Sequence, residues 1–477
     1  MPEVWYLKHI RKLEKLIREL KKLLFDKDKE IKDLKEKILI QEIEIKRIAE
    51  QKKAKRPKFP SYNLSLLEKE GKEEKVKGKS SGRRSKEEKA KQVTIVENVY
   101  PEDIKPEKCS LMRERVVTRV LEGKKEIFLY RVFKEKWGSK KGEIPEVLAK
   151  SEYGIEVPII LSFLIFGLEL SYSQAIEVLK FFCQIELSTS QVDSLLNQLA
   201  KEWEKEFESL ADLILFSLVV YIDETGWKVD KKNTFAWIFK SLKHTLLLYG
   251  ESREEKILDQ ILPTEEFKGV GVTDCYKIYE KRFPQAQKCW AHFLRKIIRL
   301  TLLYPEKEIY KIFLEKLAAL FKEGKKIKSK ETLTCQEKEK RAEELMKKVE
   351  KICTKKEIKL SKDTPKDFRE FVNLQKNLIR NKNDLFTYVF HEEVEPTNNI
   401  AERGFRDSSR ARNNYQTSKT LKGAKKRSII KSTLASLRQN LDQFSLEAVL
   451  QETVKWRREG KSLFQRQLEA FSSGIDP

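Results

Sequence analysis

The chain has six cysteines, Cys109, Cys183, Cys275, Cys289, Cys335 and Cys353, and no two of them stand in a CxxC pair. That excludes the spacing of a zinc ribbon, gives no sign of a disulfide framework, and fits reduced thiols in a cytoplasm. No long apolar run is present either. The stretch from Val157 to Leu170 is too short to span a bilayer and already carries Glu169, so it reads as a buried helix. The N-terminus, MPEVWYLKHIRKLEKL, is charged throughout and shows no apolar signal core or cleavage site. A cytoplasmic protein with no membrane partner is therefore expected. Acidic charge is in deficit: 75 Asp and Glu stand against 99 Lys and Arg, a formal charge of +24. Such an excess favours a polyanionic partner, nucleic acid ahead of an anionic membrane surface. A lysine-rich, solvated surface would give the same composition. With 477 residues, 40% of them hydrophobic, the chain is long enough for two or three domains and at least one large core.

Along the chain the pattern changes several times. Over residues 1–51, Leu13, Ile17, Leu20, Leu24, Ile31, Leu34, Ile38, Ile45 and Ile48 follow an alternating four-three spacing, broken at Lys27 and Gln41. This is a heptad seam that predicts a coiled coil and a homo-oligomer, although a long amphipathic helix folded back on its own chain would share the pattern. Residues 52–92 are basic and nearly free of apolar side chains, as in a disordered linker. Residues 93–140 predict a small β-rich module, with RVVTRVLEG and KEIFLYRVF as two strands around a turn at Gly123. Residues 141–210 read as helical. SYSQAIEVLKFF and TSQVDSLLNQLAKEW are paired helices with a cap at Ser188 or Thr189, a possible helix-turn-helix, though plain packing is the commoner use of such pairs.

From residue 211 to about 450 the order strand-strand-strand-helix-strand-helix-strand predicts a mixed α/β fold, with a Lys/Glu-rich helical insertion at about 294–390. AQKCWAHF reads as its last strand and YKIYEKRF as a helix; EPTNNIAERGFRDSSRARNN opens an Arg-rich helix, and residues 451–477 form a C-terminal tail.

Two acids end apolar strand patterns: Asp223 closes VVYID and Asp274 closes VGVTD. Open α/β sheets gather ligands at strand ends, and two such carboxylates side by side repel unless a divalent cation neutralises them. Oxygen ligands with little His or Cys nearby favour Mg²⁺ or Mn²⁺. Each Asp alone would more often be a turn former or a helix cap. Glu224 follows Asp223 directly, so on a strand it points to the opposite face.

Four motifs in order, DETGWKVD, VTDCYKIY, KCWAHFLRK and TNNIAERGFR, resemble the transposases of the insertion-sequence sixty-six family, and the likeness runs from about Tyr153 to Leu450. The resemblance implies a ribonuclease-H-like core with a helical insertion before its last acid. It implies a DDE triad of Asp223, Asp274 and Glu402 holding two Mg²⁺ or Mn²⁺ ions. It also implies double-stranded DNA as partner, both element ends and target, and a bacterial or archaeal protein acting in the cytoplasm at the nucleoid. The reaction implied is cleavage at element ends followed by 3′-OH strand transfer. Asn398 and Asn399 lie one turn before Glu402, where they could reach the metal surroundings or a phosphate, or cap the helix with Thr397. His292 either orients a scissile phosphate or water or simply packs, and Arg295 suits a phosphate. Arg403, Arg406, Arg410 and Arg412 are candidates for DNA contact, a solvated basic helix being the alternative.

The family's usual cysteine-rich zinc module is reduced here to Cys109, so no structural zinc is expected. A catalytically inactive DNA-binding relative or repressor is the second reading, and a helical scaffold the third.

Overall fold

A computed structural model describes residues 91–149, 151–353, 364–415 and 417–473. The coiled coil expected over 1–51 and almost all of the linker expected over 52–92 lie outside the described residues. The described residues as far as Phe464 form one compact unit, and the end of helix Leu463–Ser473 falls in a second. The protein is mixed α/β with a helical majority and two mixed sheets. Among the described residues no helix is long and apolar enough to cross a membrane.

The first sheet comprises β1 (Ile95–Val99), β2 (Cys109–Leu121) and β3 (Lys124–Glu135) in the order β1-β3-β2. β2 and β3 form the hairpin expected around Gly123. Glu122 and Gly123 both have positive φ, 49° and 78°, the sense of turn that matches the strand twist. The sequence reading missed β1, which adds in parallel along β3. Val117, Phe128, Tyr130 and Val147 pack beneath the sheet. Cys109 is buried, and its thiol donates to the Lys105 carbonyl at 3.6 Å.

Next come α1 (Glu156–Ser162), a π-helical turn at Phe163–Gly167, α2 (Tyr172–Cys183), α3 (Thr189–Glu202) and α4 (Glu204–Leu215). Ser188 caps α3: its hydroxyl accepts from the Gln191 amide, and the Gln191 side chain accepts from the Ser188 amide in return. A buried ion pair links the hairpin to α1. Arg119 Nε donates to Glu156 Oε1 at 2.8 Å, and that oxygen also accepts from the Val120 amide at 2.9 Å.

The second sheet contains β4 (Val219–Val229), β5 (Lys232–Lys240), β6 (Thr245–Glu251), β7 (Val270–Thr273) and β8 (Gln285–Lys288), ordered β6-β5-β4-β7-β8. The β4, β5 and β6 pairings are antiparallel, and β7 and β8 continue from β4 in parallel. α5 (Lys256–Ile261) connects β6 to β7.

Three local expectations need correction. β4 does not end at Asp223 but runs on to Val229, because β5 accompanies it all the way whereas β7 stops at Thr273. AQKCWAHF is strand only as far as Lys288. The β7 partner is exhausted there, and Trp290 turns the chain into a helix, with its indole donating to the Leu385 carbonyl at 2.6 Å. YKIYEKRF is a single short turn, Lys277–Tyr279, because Lys281 adopts a positive φ of 53° and Pro284 follows closely.

The helical stretch after β8 comprises α6 (Trp290–Leu303), α7 (Glu308–Lys328), α8 (Cys335–Ile352), α9 (Lys366–Arg380) and α10 (Thr387–Phe390). Its apolar faces share one core with one face of the sheet: Trp290, Phe313, Leu345, Phe371 and Tyr388 are continuous with Tyr221 and Val272. The chain then returns through α11 (Asn399–Gly404), α12 (Arg406–Tyr415) and α13 (Leu421–Asn440), followed by α14 (Leu446–Glu459) and α15 (Leu463–Ser473). The Arg-rich segment is thus two helices rather than one, broken where Phe405 enters the core.

α13 covers the open edge of β6. The amides of Thr245, Leu247 and Tyr249 donate to the hydroxyls of Ser436, Ser432 and Ser428 at 2.9, 2.8 and 2.8 Å. Every second residue of a strand advances about 6.6 Å and every fourth residue of a helix about 6 Å, so the two ladders stay in step. The serines give this edge the partners that a neighbouring strand would otherwise provide.

Candidate active site

Asp223 and Asp274 are brought together by strand register. β4 and β7 pair in parallel with Tyr221 opposite Val272, so two residues on in each chain Asp223 stands level with Asp274. The side-chain period of two puts both on the face occupied by Tyr221 and Val272. Asp274 leaves the strand in a tight turn, its Oδ1 accepting from the Tyr276 amide at 2.8 Å.

Glu402 arrives from α11. The start of that helix is fixed to β4 one residue before Asp223: Asn398 Nδ2 donates to the Ile222 carbonyl at 2.7 Å. The Asn398 amide donates to Cys289 Sγ at 3.1 Å, which ties the same point to the start of α6. Asn398 is fully buried, and among the described residues its Oδ1 has no partner and no side chain caps α11. Its amide therefore positions the acids rather than closing a helix end. Asn399 is exposed.

Burial, reinforced by Glu224, Asp274 and Glu402, pushes the Asp223 carboxyl up to about 7. Glu402 differs in having a cation at hand: Arg295 Nη2 donates to Glu402 Oε1 at 2.8 Å. His292 Nε2 lies 3.9 Å from the same oxygen, and its Nδ1 is buried without a partner among the described residues. Burial, with Arg295 nearby, lowers the His292 pKa, so the ring is neutral around pH 7. His292 sits on helix α6, not beside a strand. Cys289, His292 and Glu402 bring their potential ligand atoms within 4.8 Å of one another.

Glu224 has hydrogen-bond partners of its own. Arg253 Nη2 donates to its Oε1 at 2.6 Å, and the buried Tyr279 hydroxyl donates to its Oε2. Arg253 also stacks over Tyr276, 3.9 Å from the ring centre. Neither Arg253 nor Tyr279 was identified from the sequence; nothing in its local pattern links either residue to Glu224.

The arginines after Glu402 divide. Arg412 Nη1 donates to the Gly226 carbonyl at 2.9 Å and to Thr225 Oγ1 at 3.1 Å, clasping the extension of β4. Arg410 pairs with Asp407. Arg403 and Arg406 are exposed.

The donor set fits a divalent cation. Asp274 and Glu402 both act electrostatically on Asp223: burial, together with these acids and Glu224, disfavours its ionised form, a penalty that a hard cation would relieve. The model of the family described as "Transposase IS66 family" matches residues 163–426, more than half of the chain, and this range includes all three acids. No curated protein matches the chain.

Proposed function

The chain belongs to the transposase IS66 family, and from that premise we propose that it is a DDE transposase that cleaves element ends and joins the freed 3′-OH to target DNA. The observation that carries the proposal is the level placement of Asp223 and Asp274 on adjacent parallel strands, with Glu402 tied in through Asn398. The five-stranded mixed sheet, with a helical segment inserted before the last acid, supports a ribonuclease-H-like reading of the core.

Asp223, Asp274 and Glu402 are the residues that would hold Mg²⁺ or Mn²⁺, as two ions. A bound divalent pair supplies Lewis-acid activation of the attacking oxygen and charge stabilisation of the leaving oxygen in phosphodiester displacement. The remaining work falls to the protein's own groups. Asn398 holds the α11 end against Ile222, which keeps Glu402 on the side of Asp223. The neutral His292 can hydrogen-bond a water or a phosphate oxygen, and Arg295 balances Glu402. Arg403 and Arg406, both exposed, would contact the DNA backbone, and Arg412 fixes the β4 extension. The net charge of +24 offsets the repulsion between an acidic site and DNA. Self-association through residues 1–51 and a cytoplasmic, nucleoid location belong to the same reading.

The test is cleavage of labelled element ends in Mg²⁺, with gel-shift binding measured in parallel. Asp223→Ala, Asp274→Ala and Glu402→Ala should each abolish cleavage and joining while leaving DNA binding largely intact. Near-normal cleavage by one variant would remove that residue from the triad. Binding without cleavage by the wild-type chain would favour the inactive DNA-binding relative.

A further inference from the structure

Trp137 is 97% exposed. Single exposed apolar residues are ordinary on protein surfaces, but this indole sits on a braced loop. The loop leaves β3 and is closed by backbone hydrogen bonds from Glu135 N to Lys140 O at 2.9 Å and from Gly142 N to Phe133 O at 2.8 Å. The Lys136 amide donates to the Lys108 carbonyl at 2.9 Å, and its ammonium to the Glu107 carbonyl at 2.9 Å. Gly142 seals the base of the loop: a Cβ there would lie 2.4 Å from the Val99 carbonyl oxygen, so only glycine allows β1 to approach this closely. Trp137 itself stacks on no ring among the described residues.

The charges around it have one predominant sign. Lys134, Lys136, Lys140 and Lys141 are all exposed, and the acids in the same stretch are Glu135 and Glu143. A flat aromatic face held out among lysines matches the two parts of a nucleotide: a base for the ring and phosphates for the ammonium groups. A base inside a duplex is already stacked on both sides, so the ring needs one that is unpaired. Strand cutting and joining at element ends leaves unpaired nucleotides, and the inference rests on that proposed reaction.

We propose that Trp137 stacks on an unpaired base of the DNA substrate while the flanking lysines hold its phosphates. The test uses the full chain and fluorescently labelled duplexes of mixed sequence, one blunt and one with a short single-stranded overhang carrying 2-aminopurine. Trp137→Ala should weaken binding of the overhang duplex about 5- to 150-fold, the range that one base–aromatic stack is worth. It should leave blunt-duplex binding unchanged, which also shows that the variant is folded. Trp137→Phe should stay within a few-fold of wild type. The 2-aminopurine emission should be quenched by the wild-type chain and not by Trp137→Ala. Equal affinity of Trp137→Ala and wild type for the overhang duplex would overturn the proposal, as would an equal loss on both duplexes. A wild-type chain that binds neither DNA would count against the transposase reading itself and remove this inference with it.

Discussion

Asp223→Asn should make the cation-free protein more stable, although it removes a residue assigned to the reaction. Each tenfold change in proton affinity is worth about 1.36 kcal/mol. Raising a carboxyl from its ordinary 3.8 to about 7 therefore disfavours its ionised form in the folded state by about 4 kcal/mol. Local relaxation and water reduce this to about 2–4 kcal/mol, still a large part of the 5–15 kcal/mol that holds a domain folded. The sign follows from proton linkage. Between pH 3.8 and about 7 the folded carboxyl keeps its proton while the unfolded one has lost it. Folding is thus penalised progressively as pH rises through that window, and fully above it. Asparagine is close to isosteric and carries no charge, so it escapes the penalty. At pH 8 in chelator, calorimetry should show the variant melting roughly 2–5 °C higher than wild type. At pH 5 the gain should shrink to about a third. Adding Mg²⁺ should raise the wild-type midpoint by mass action and leave the variant nearly unmoved. A gain that is independent of pH, or no gain at pH 8, would refute the argument that crowding with Glu224, Asp274 and Glu402 and burial together strain this carboxylate.

Two further outcomes test the scaffold. Ser432→Val leaves the buried Leu247 amide without its acceptor, and denaturant unfolding should show a loss of about 1–3 kcal/mol; wild-type stability would mean that the serine ladder is incidental. Glu169 is buried and accepts from both Arg427 and Lys431, which are themselves nearly buried. Glu169→Gln should cost about 3–5 kcal/mol by stranding two cations, read as a fall in the thermal midpoint, and an unchanged midpoint would show that water reaches the site.

What the sequence determined by itself was the family and the approximate scaffolding of the candidate site. The apolar strand patterns ending in Asp223 and Asp274, the family motifs, the Gly123 hairpin and the Ser188 cap are local signals, carried by neighbouring residues, and they are legible because turns, caps and alternation depend on a few adjacent side chains. The tertiary structure decided everything that needed partners distant in the chain. Whether β4 ends or continues at Asp223 depended on which neighbour runs alongside it, and β5 outlasts β7. In sequence Asn398 could reach the metal surroundings or a phosphate, or cap the helix; its amide reaches Ile222, 176 residues away. Glu224 proved to be held by Arg253 and Tyr279, and the edge of β6 by serines on α13, through contacts that no spacing in the chain encodes. The coupling of Asp223 to Glu402 is likewise a product of packing. A sequence can show which residues carry charge, but how strongly they repel depends on the burial and distances that only the fold creates.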